Sequence, residues 1–241
     1  MTATPDTTIR DIVADDFRAA AVFQQFGIDF CCNGNRTVED ACRTGAASAE
    51  DVLRSLGEAT IGQPAGTPRF NAWDLATLVA FIVANHHVYV RQAMPPLLTH
   101  TEKLARVHGA RHPEVLEVAR LFAGIADEMT SHMEKEEHIL FPYILELAAA
   151  ARTHAAAPSA PFGTVRNPIR MMEAEHESAG TAMARIHELT SGYSVPADGC
   201  ATYEVCLREL EAFEADLHQH VHLENNILFP KAARLEAELG R

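Results

Sequence analysis

No apolar run in this chain approaches the roughly 18–20 residues that a membrane span requires. Its first residues, Met1-Thr-Ala-Thr-Pro-Asp6, lack the basic and apolar regions of a secretory signal. A cytoplasmic location is therefore expected. Positive charge is in deficit: 20 Lys and Arg stand against 33 Asp and Glu, a formal net charge of -13. That surplus repels a phosphate backbone and an anionic lipid surface alike, which argues against nucleic-acid and membrane partners. Cysteines are few and odd in number, five among 241 residues, at Cys31, Cys32, Cys42, Cys200 and Cys206. This argues against the disulfide framework of a small secreted protein, and reduced thiols are expected. Strand signals are scarce too. Ala, Leu and Glu are plentiful, and they favour helix.

The length allows one bundle of about 150–180 residues and a small accessory domain. Over residues 1–60 short amphipathic stretches alternate with breaks. Thr8 to Val13 and Phe17 to Phe26 each read as a helix, Gly27 stops the second, and Thr37 and Ser48 are N-cap candidates for two more. Gly62-Gln-Pro-Ala-Gly-Thr-Pro68 holds turn residues without hydrophobic periodicity, so residues 61–70 are predicted to be a linker. Residues 71–241 then contain four long helical stretches, at about 71–108, 112–152, 166–191 and 198–238. Four long antiparallel helices imply an all-α bundle. Pro95-Pro96 is expected to kink or end the first stretch. The Ala-rich connector from Ala148 to Pro161 should start as helix and finish as a Pro-rich loop.

The strongest signal is an internal repeat. His132-Met-Glu-Lys-Glu136-Glu-His-Ile-Leu-Phe-Pro142 recurs as His220-Val-His-Leu-Glu224-Asn-Asn-Ile-Leu-Phe-Pro230, with His, Glu and Ile-Leu-Phe-Pro in one register. Residues four apart share a helix face, so each copy points an imidazole and a carboxylate the same way. His87 precedes His132, and His176 precedes His220, at nearly equal offsets. Two packed helix pairs would bring four imidazoles and two carboxylates into the core, a donor set that fits two metals better than one and iron or manganese better than a structural zinc. A single helical histidine is more often a surface residue than a ligand; the repeat is what points to metal. Competing registers, His218 with His222 and Glu134 with His138, have no counterpart in the other half. Periodicity does not choose between His86 and His87. Glu128, one turn before His132, and Glu175, beside His176, read as further ligands, ligand-bonded groups or proton carriers, or else as solvated helix charges.

Phe30-Cys31-Cys32-Asn33-Gly34 places two adjacent thiols in a turn. Near a helix N-terminus such thiols would have lowered pKa values and react with iron, nitric oxide or another thiol; otherwise they are partly buried small residues. Cys42, Cys200 and Cys206 have no partner pattern and read as structural.

Phe30-Cys31-Cys32-Asn-Gly, His87-Val-Tyr-Val-Arg91, Ser131-His132 through Pro142, Met172-Glu-Ala-Glu-His176-Glu and His220 through Pro230 together resemble the bacterial iron-sulfur cluster repair di-iron proteins, which join a ScdA-type N-terminal domain to a hemerythrin-like four-helix bundle. The likeness spans nearly the whole chain. It implies two non-haem iron ions, oxo- or hydroxo-bridged when oxidised, with His87, His132, His176 and His220 as ligands, Glu136 and Glu224 as bridging carboxylates, and Glu128 and Glu175 close by. It also implies repair of iron-sulfur clusters damaged by nitrosative or oxidative stress, with iron supplied to the damaged proteins; in such a transfer Cys31 and Cys32 are expected to receive iron or engage the target. Nitric oxide and oxygen are the implied small ligands. Nitric oxide reduction at the site is the enzymatic alternative; a hemerythrin-type oxygen carrier ranks lower, since such carriers resemble this bundle but use five histidines. Oligomeric state stays open, a homodimer included. The chain departs from its relatives at His86, where an aromatic such as tyrosine is frequent, and at Asn33-Gly34-Asn35, where Gly-Gly-Lys is usual.

Overall fold

The first helix begins where a threonine can cap it. In the computed structural model, which describes residues 3–43, 47–61 and 68–240, Thr8 accepts from the Asp11 amide and α1 runs Ile9–Asp15. Helix α2, Ala19–Gln25, ends at Gly27, whose φ of +65° needs no Cβ; the Ile28 amide then donates back to Phe23 O at 2.8 Å. Helix α3, Val38–Arg43, and α4, Ala49–Ala59, start as expected: Thr37 and Ser48 accept from the amides of Asp40 and Asp51, each at 3.1 Å. The predicted linker falls largely outside the described residues, at 62–67.

The remainder is four rods. The first is α5, Leu75–Phe81, a π-helical turn, Ile82–His87, and α6, Val88–His108. The second is α7, Glu114–Lys135, a π-turn, Glu136–Leu140, and α8, Phe141–Thr153. The third is α9, Arg166–Leu189, uninterrupted. The fourth is α10, Ala201–His222, a π-turn, Leu223–Leu228, and α11, Phe229–Leu239. Helix α7 packs between α6 and α9, and α10 closes the square against the same two. This is the antiparallel bundle that the sequence predicts. Among the described residues there is no strand, only an isolated bridge between Thr8 and Thr37.

Pro95 and Pro96 do not end α6, which continues through both. They lie on the solvent face with Arg91 and Gln92, so water can satisfy the carbonyls that the missing amides leave free, while buried Met94 and Leu97 hold the rod in place.

Apolar burial falls into two clusters. One holds Leu78, Ile82, Phe141, Ile144, Ile169 and Phe229 at one end of the bundle. The other holds Val90, Leu97, Phe122, Met183 and Phe213 toward the opposite end, and it extends without a break into Ile9, Phe23, Phe30 and Val52 of the N-terminal helices. Along every rod the histidines and glutamates of the repeat fall where one cluster gives way to the other. The bundle thus carries a polar layer between two apolar ones.

Candidate metal centre

Three of the four rods change from α to π geometry at this polar layer. A π-turn holds one extra residue and so re-aims the side chains around it. In the second and fourth rods the cause is local: the Ile-Leu-Phe-Pro that closes each repeat puts Pro142 and Pro230 at the start of the next α-segment, and a proline offers no amide to continue the α-ladder. Glu136 opens one π-turn, Glu224 is the second residue of another, and His87 closes the third.

The outcome is two groups of donors. His87, Glu136, His220 and Glu224 form one, and His132, Glu136, His176 and Glu224 the other, with the ligand atoms of each within 4.8 Å of one another. Both carboxylates belong to both groups. Glu136 Oε2 lies 3.3 Å from Nε2 of His87 and 3.3 Å from Nε2 of His132. Glu224 lies 3.1 Å from Nε2 of His176 through one oxygen and 3.1 Å from Nε2 of His220 through the other. All six residues are at most 1% exposed. Yet both oxygens of each glutamate, and Nε2 of His87 and His220, have no hydrogen-bond partner. Buried polar atoms left in this way cost about 1–3 kcal/mol each, so six of them gathered in these two donor groups fit bound cations.

The outer nitrogens of the rings are mostly tied down. His87 Nδ1 donates to Glu137 at 2.6 Å, His132 Nδ1 to Glu175 at 2.9 Å, and His176 Nδ1 to Asn225 Oδ1 at 2.9 Å. Each of those bonds keeps a proton on Nδ1 and leaves Nε2 as the inward nitrogen, those of His132 and His176 standing 3.0 Å apart, so that Nε2 can serve a metal once any proton on it is displaced. Arg91 and Lys135 hold Glu137 and Glu175 in turn. The phenylalanines of the repeat complete the symmetry, Phe141 stacking on His87 at 5.7 Å and Phe229 on His176 at 6.2 Å. One corner breaks it. His220 Nδ1 has no partner, and His86, bonded to Asp216 at 2.9 Å, lies flat against its ring at 5.6 Å.

Residues 79–232 match the family model of the hemerythrin HHE cation binding domain, and residues 5–60 match the ScdA_N model, a domain of unknown function. An iron-sulfur cluster repair protein YtfE of Musicola paradisiaca is 34% identical, aligned over 91% of this chain and 93% of its own. A protein of the same name from Pectobacterium carotovorum is also 34% identical, with the same coverage. The iron-sulfur cluster repair protein ScdA of Staphylococcus haemolyticus is 28% identical across 95% of this chain and 98% of its own. The chain belongs to the iron-sulfur cluster repair family.

As a family member with a cation-binding bundle, the chain has a core whose electrostatics suit a metal. Burial opposes charge on His132, but Glu136, and then Glu224 and Glu175, overcome it and push its pKa up to about 9. Burial likewise opposes charge on Glu224, and His220 and His176 bring it well below the usual carboxylate range. Burial and Glu224 both work against ionised Glu136, yet His132 and His87 keep it low. In the metal-free chain the two carboxylates are ionised.

Not every predicted residue joins the centre. Glu175 touches it through His132. Glu128 is exposed and accepts from Ser178 at 3.1 Å, outside both donor groups. Cys31 and Cys32 lie in the Phe30–Asn33 loop, held against the π-turn of the fourth rod by Asn226, whose amide donates to Phe30 O and Cys31 O at 3.1 and 3.2 Å. The expectation of a lowered pKa fails for Cys31: its hydrogen bond with Cys32, then burial, push it well above the ordinary thiol. Cys200, read as structural, is exposed at the start of α10, where His108 lies 3.3 Å from its sulfur and lowers its pKa to about 7. Glu137, Asn225, Phe141 and Phe229 escaped the sequence reading. Their signal was there: 137 and 225 occupy the same place in the repeat, as do the two phenylalanines.

Proposed function

We propose that this chain holds two iron ions between His87, His132, Glu136, His176, His220 and Glu224, with both carboxylates shared, and supplies iron to iron-sulfur clusters damaged by nitrosative or oxidative stress. The observation that carries the reading is the pair of donor groups with Glu136 and Glu224 in common. Glu224 turns one oxygen to His176 and the other to His220, Glu136 turns a single oxygen to both His87 and His132, and none of these oxygens has a hydrogen bond to satisfy it. Imidazole and carboxylate suit iron, and six protein groups across two ions leave coordination positions free. The names of the relatives support repair as the task, and damaged iron-sulfur proteins in the cytoplasm are the partners it implies.

Bound iron supplies both redox chemistry and cargo. What this chain contributes is its release and retention: three imidazoles with Nδ1–H held by Glu137, Glu175 and Asn225, carboxylates kept ionised, and a buried layer flanked by Phe141 and Phe229. Loading the chain anaerobically with isotopically labelled iron and adding a nitric-oxide-damaged iron-sulfur enzyme tests the role. The label should appear in the rebuilt cluster. Recovery of enzyme activity with unlabelled clusters would sink the donor role, and nitrous oxide released in place of label transfer would favour nitric oxide reduction. Replacing Glu136 or Glu224 with Gln should lower bound iron well below two per chain; retention of both ions would overturn the shared-carboxylate assignment.

A further inference from the structure

The second group of ligand-type side chains lies away from the repeat. Asp29, Cys31 and Cys32 present one oxygen and two sulfurs within 4.8 Å of one another. The two sulfurs are 3.8 Å apart, and Cys31 Sγ is 3.3 Å from Asp29 Oδ1. Those separations have a specific meaning. Two thiolates at about 2.3 Å from one tetrahedral ion stand about 3.8 Å from each other, and a thiolate and a carboxylate oxygen on the same ion stand about 3.5 Å apart. Two of the three edges among these donors therefore already stand near those of a coordination tetrahedron, and the third lies within 4.8 Å. Its shape is fixed from within, since Asp29 accepts from the amides of Cys31 and Cys32, both at 3.0 Å, and from Asn33 Nδ2 at 2.6 Å.

The surroundings favour a cation. A cavity of about 370 Å³ lies between this loop and helices α9 and α10, and Asp29, both cysteines, Glu177, Glu214 and His218 line it. His218 Nδ1 is buried there without a hydrogen-bond partner. Cys32 is partly exposed and also lines a second cavity of about 400 Å³ with Glu173 and Glu177, which gives an entry route. Soft thiolates select a different ion from the imidazole and carboxylate set of the bundle.

We infer that Asp29, Cys31 and Cys32 form a second cation site, separate from the His/Glu centre, that takes a thiophilic divalent ion in tetrahedral coordination with the fourth position open to the cavity beside His218. Binding exchanges the thiol protons for two metal–sulfur bonds and releases those protons to solvent; no electron is transferred. Uptake consequently strengthens as pH rises. The paired thiols are a reduced chelate at rest, not a disulfide, because adjacent cysteines bond to each other only through a strained peptide geometry.

Cobalt(II) is the probe. The full chain, iron-loaded, anaerobic and reduced, is titrated with Co2+ while absorbance is followed for the sulfur-to-cobalt charge-transfer band, which histidine and carboxylate ligands cannot give. One equivalent per chain should saturate the band with iron content unchanged. Cys31→Ser and Cys32→Ser should each weaken uptake by about tenfold or more and dim the band, and His218→Gln should leave the band in place. In the unsubstituted chain, cobalt should shield Cys31 and Cys32 from alkylation and leave Cys200 reactive, which decides the question even if a variant does not fold. Absence of a sulfur band at tenfold excess cobalt, a band undiminished in both serine variants, or shielding of Cys200 in place of the pair would overturn the site.

Discussion

Glu137 accepts the Nδ1–H of His87 at 2.6 Å while its chain neighbour Glu136 stands 3.3 Å from Nε2 of the same ring. Consecutive residues of a regular α-helix point about 100° apart and do not meet on one target. The π-turn that opens at Glu136 changes that, so a single imidazole is gripped from both sides. Asn225 repeats the arrangement for His176, next to Glu224.

Glu137→Ala should therefore weaken metal binding without removing a ligand. Loss of a ligand-orienting partner costs about 10–100-fold in metal affinity, and Arg91 would lose its ion pair as well. Competition with a chromophoric chelator measures the effect. Affinity equal to that of the unsubstituted chain would show that Glu137 does not orient His87.

The two donor groups should also empty at different rates. His132 and His176 both have their outer nitrogens bonded, whereas in the His87 and His220 group the His220 Nδ1 has no hydrogen-bond partner and only ring contacts, that of His86 among them, hold it. An imidazole whose outer nitrogen no partner orients holds its ion less firmly. Chelation of the loaded chain should proceed in two phases, with the His87 and His220 position emptied first. Replacing His220 by Ala should abolish the fast phase and leave the slow one, and a single phase in the unsubstituted chain would refute the asymmetry.

Much of this was legible in advance because periodicity reports the backbone. The repeat fixed His132, Glu136, His220 and Glu224 on shared faces, and capping residues such as Thr37 and Ser48 marked where helices begin. The π-turns were not legible, since an apolar stripe with period near 3.6 hides one added residue, although Phe141-Pro142 and Phe229-Pro230 signalled the break. Pro95-Pro96 did not end the helix, because composition cannot say that those prolines face water. Periodicity left His86 and His87 open and the family resemblance picked His87; in the structure both are buried, and only His87 aims Nε2 at Glu136. Asp29 and the cavity beside it depend on contacts between the loop and helices some 150 to 190 residues later in the chain.

Acid and base should act on metal uptake through His132. In the metal-free chain its pKa is raised from 6.5 to about 9, so at neutral pH the ring is protonated and pairs with Glu136 and Glu175. A raised folded pKa contributes stability that is complete below about 6.5 and is lost as pH climbs through about 9. Metal must displace that proton. Calorimetric titration in buffers of different ionisation enthalpy should show a proton released on loading at neutral pH and its disappearance above about pH 9, while the melting temperature of the metal-free chain falls over the same interval. Proton release that does not change with pH would contradict the assignment to His132.

Asn226 should govern how firmly the thiol loop is seated. Its amide nitrogen lies 3.1 Å from Phe30 O, 3.2 Å from Cys31 O and 3.1 Å from His222 Nδ1. Burial lowers the pKa of His222 to about 3, so the ring is neutral and its Nδ1 accepts from the amide. Phe17 and Phe30 then pack on that ring at 5.7 and 6.1 Å. Asn226→Ala leaves two buried carbonyls without their donor, at about 1–3 kcal/mol. Gly34→Ala attacks the same contact by steric means, since a Cβ there would stand 2.7 Å from Phe30 O and 2.9 Å from Asn226 Oδ1. Both variants should speed amide exchange over residues 28–36 and alkylation of buried Cys31, with iron content preserved because no His/Glu donor is touched. If Cys31 reacted at an unchanged rate in both, the loop would owe its seat to the Phe17 and Phe30 packing and not to the amide.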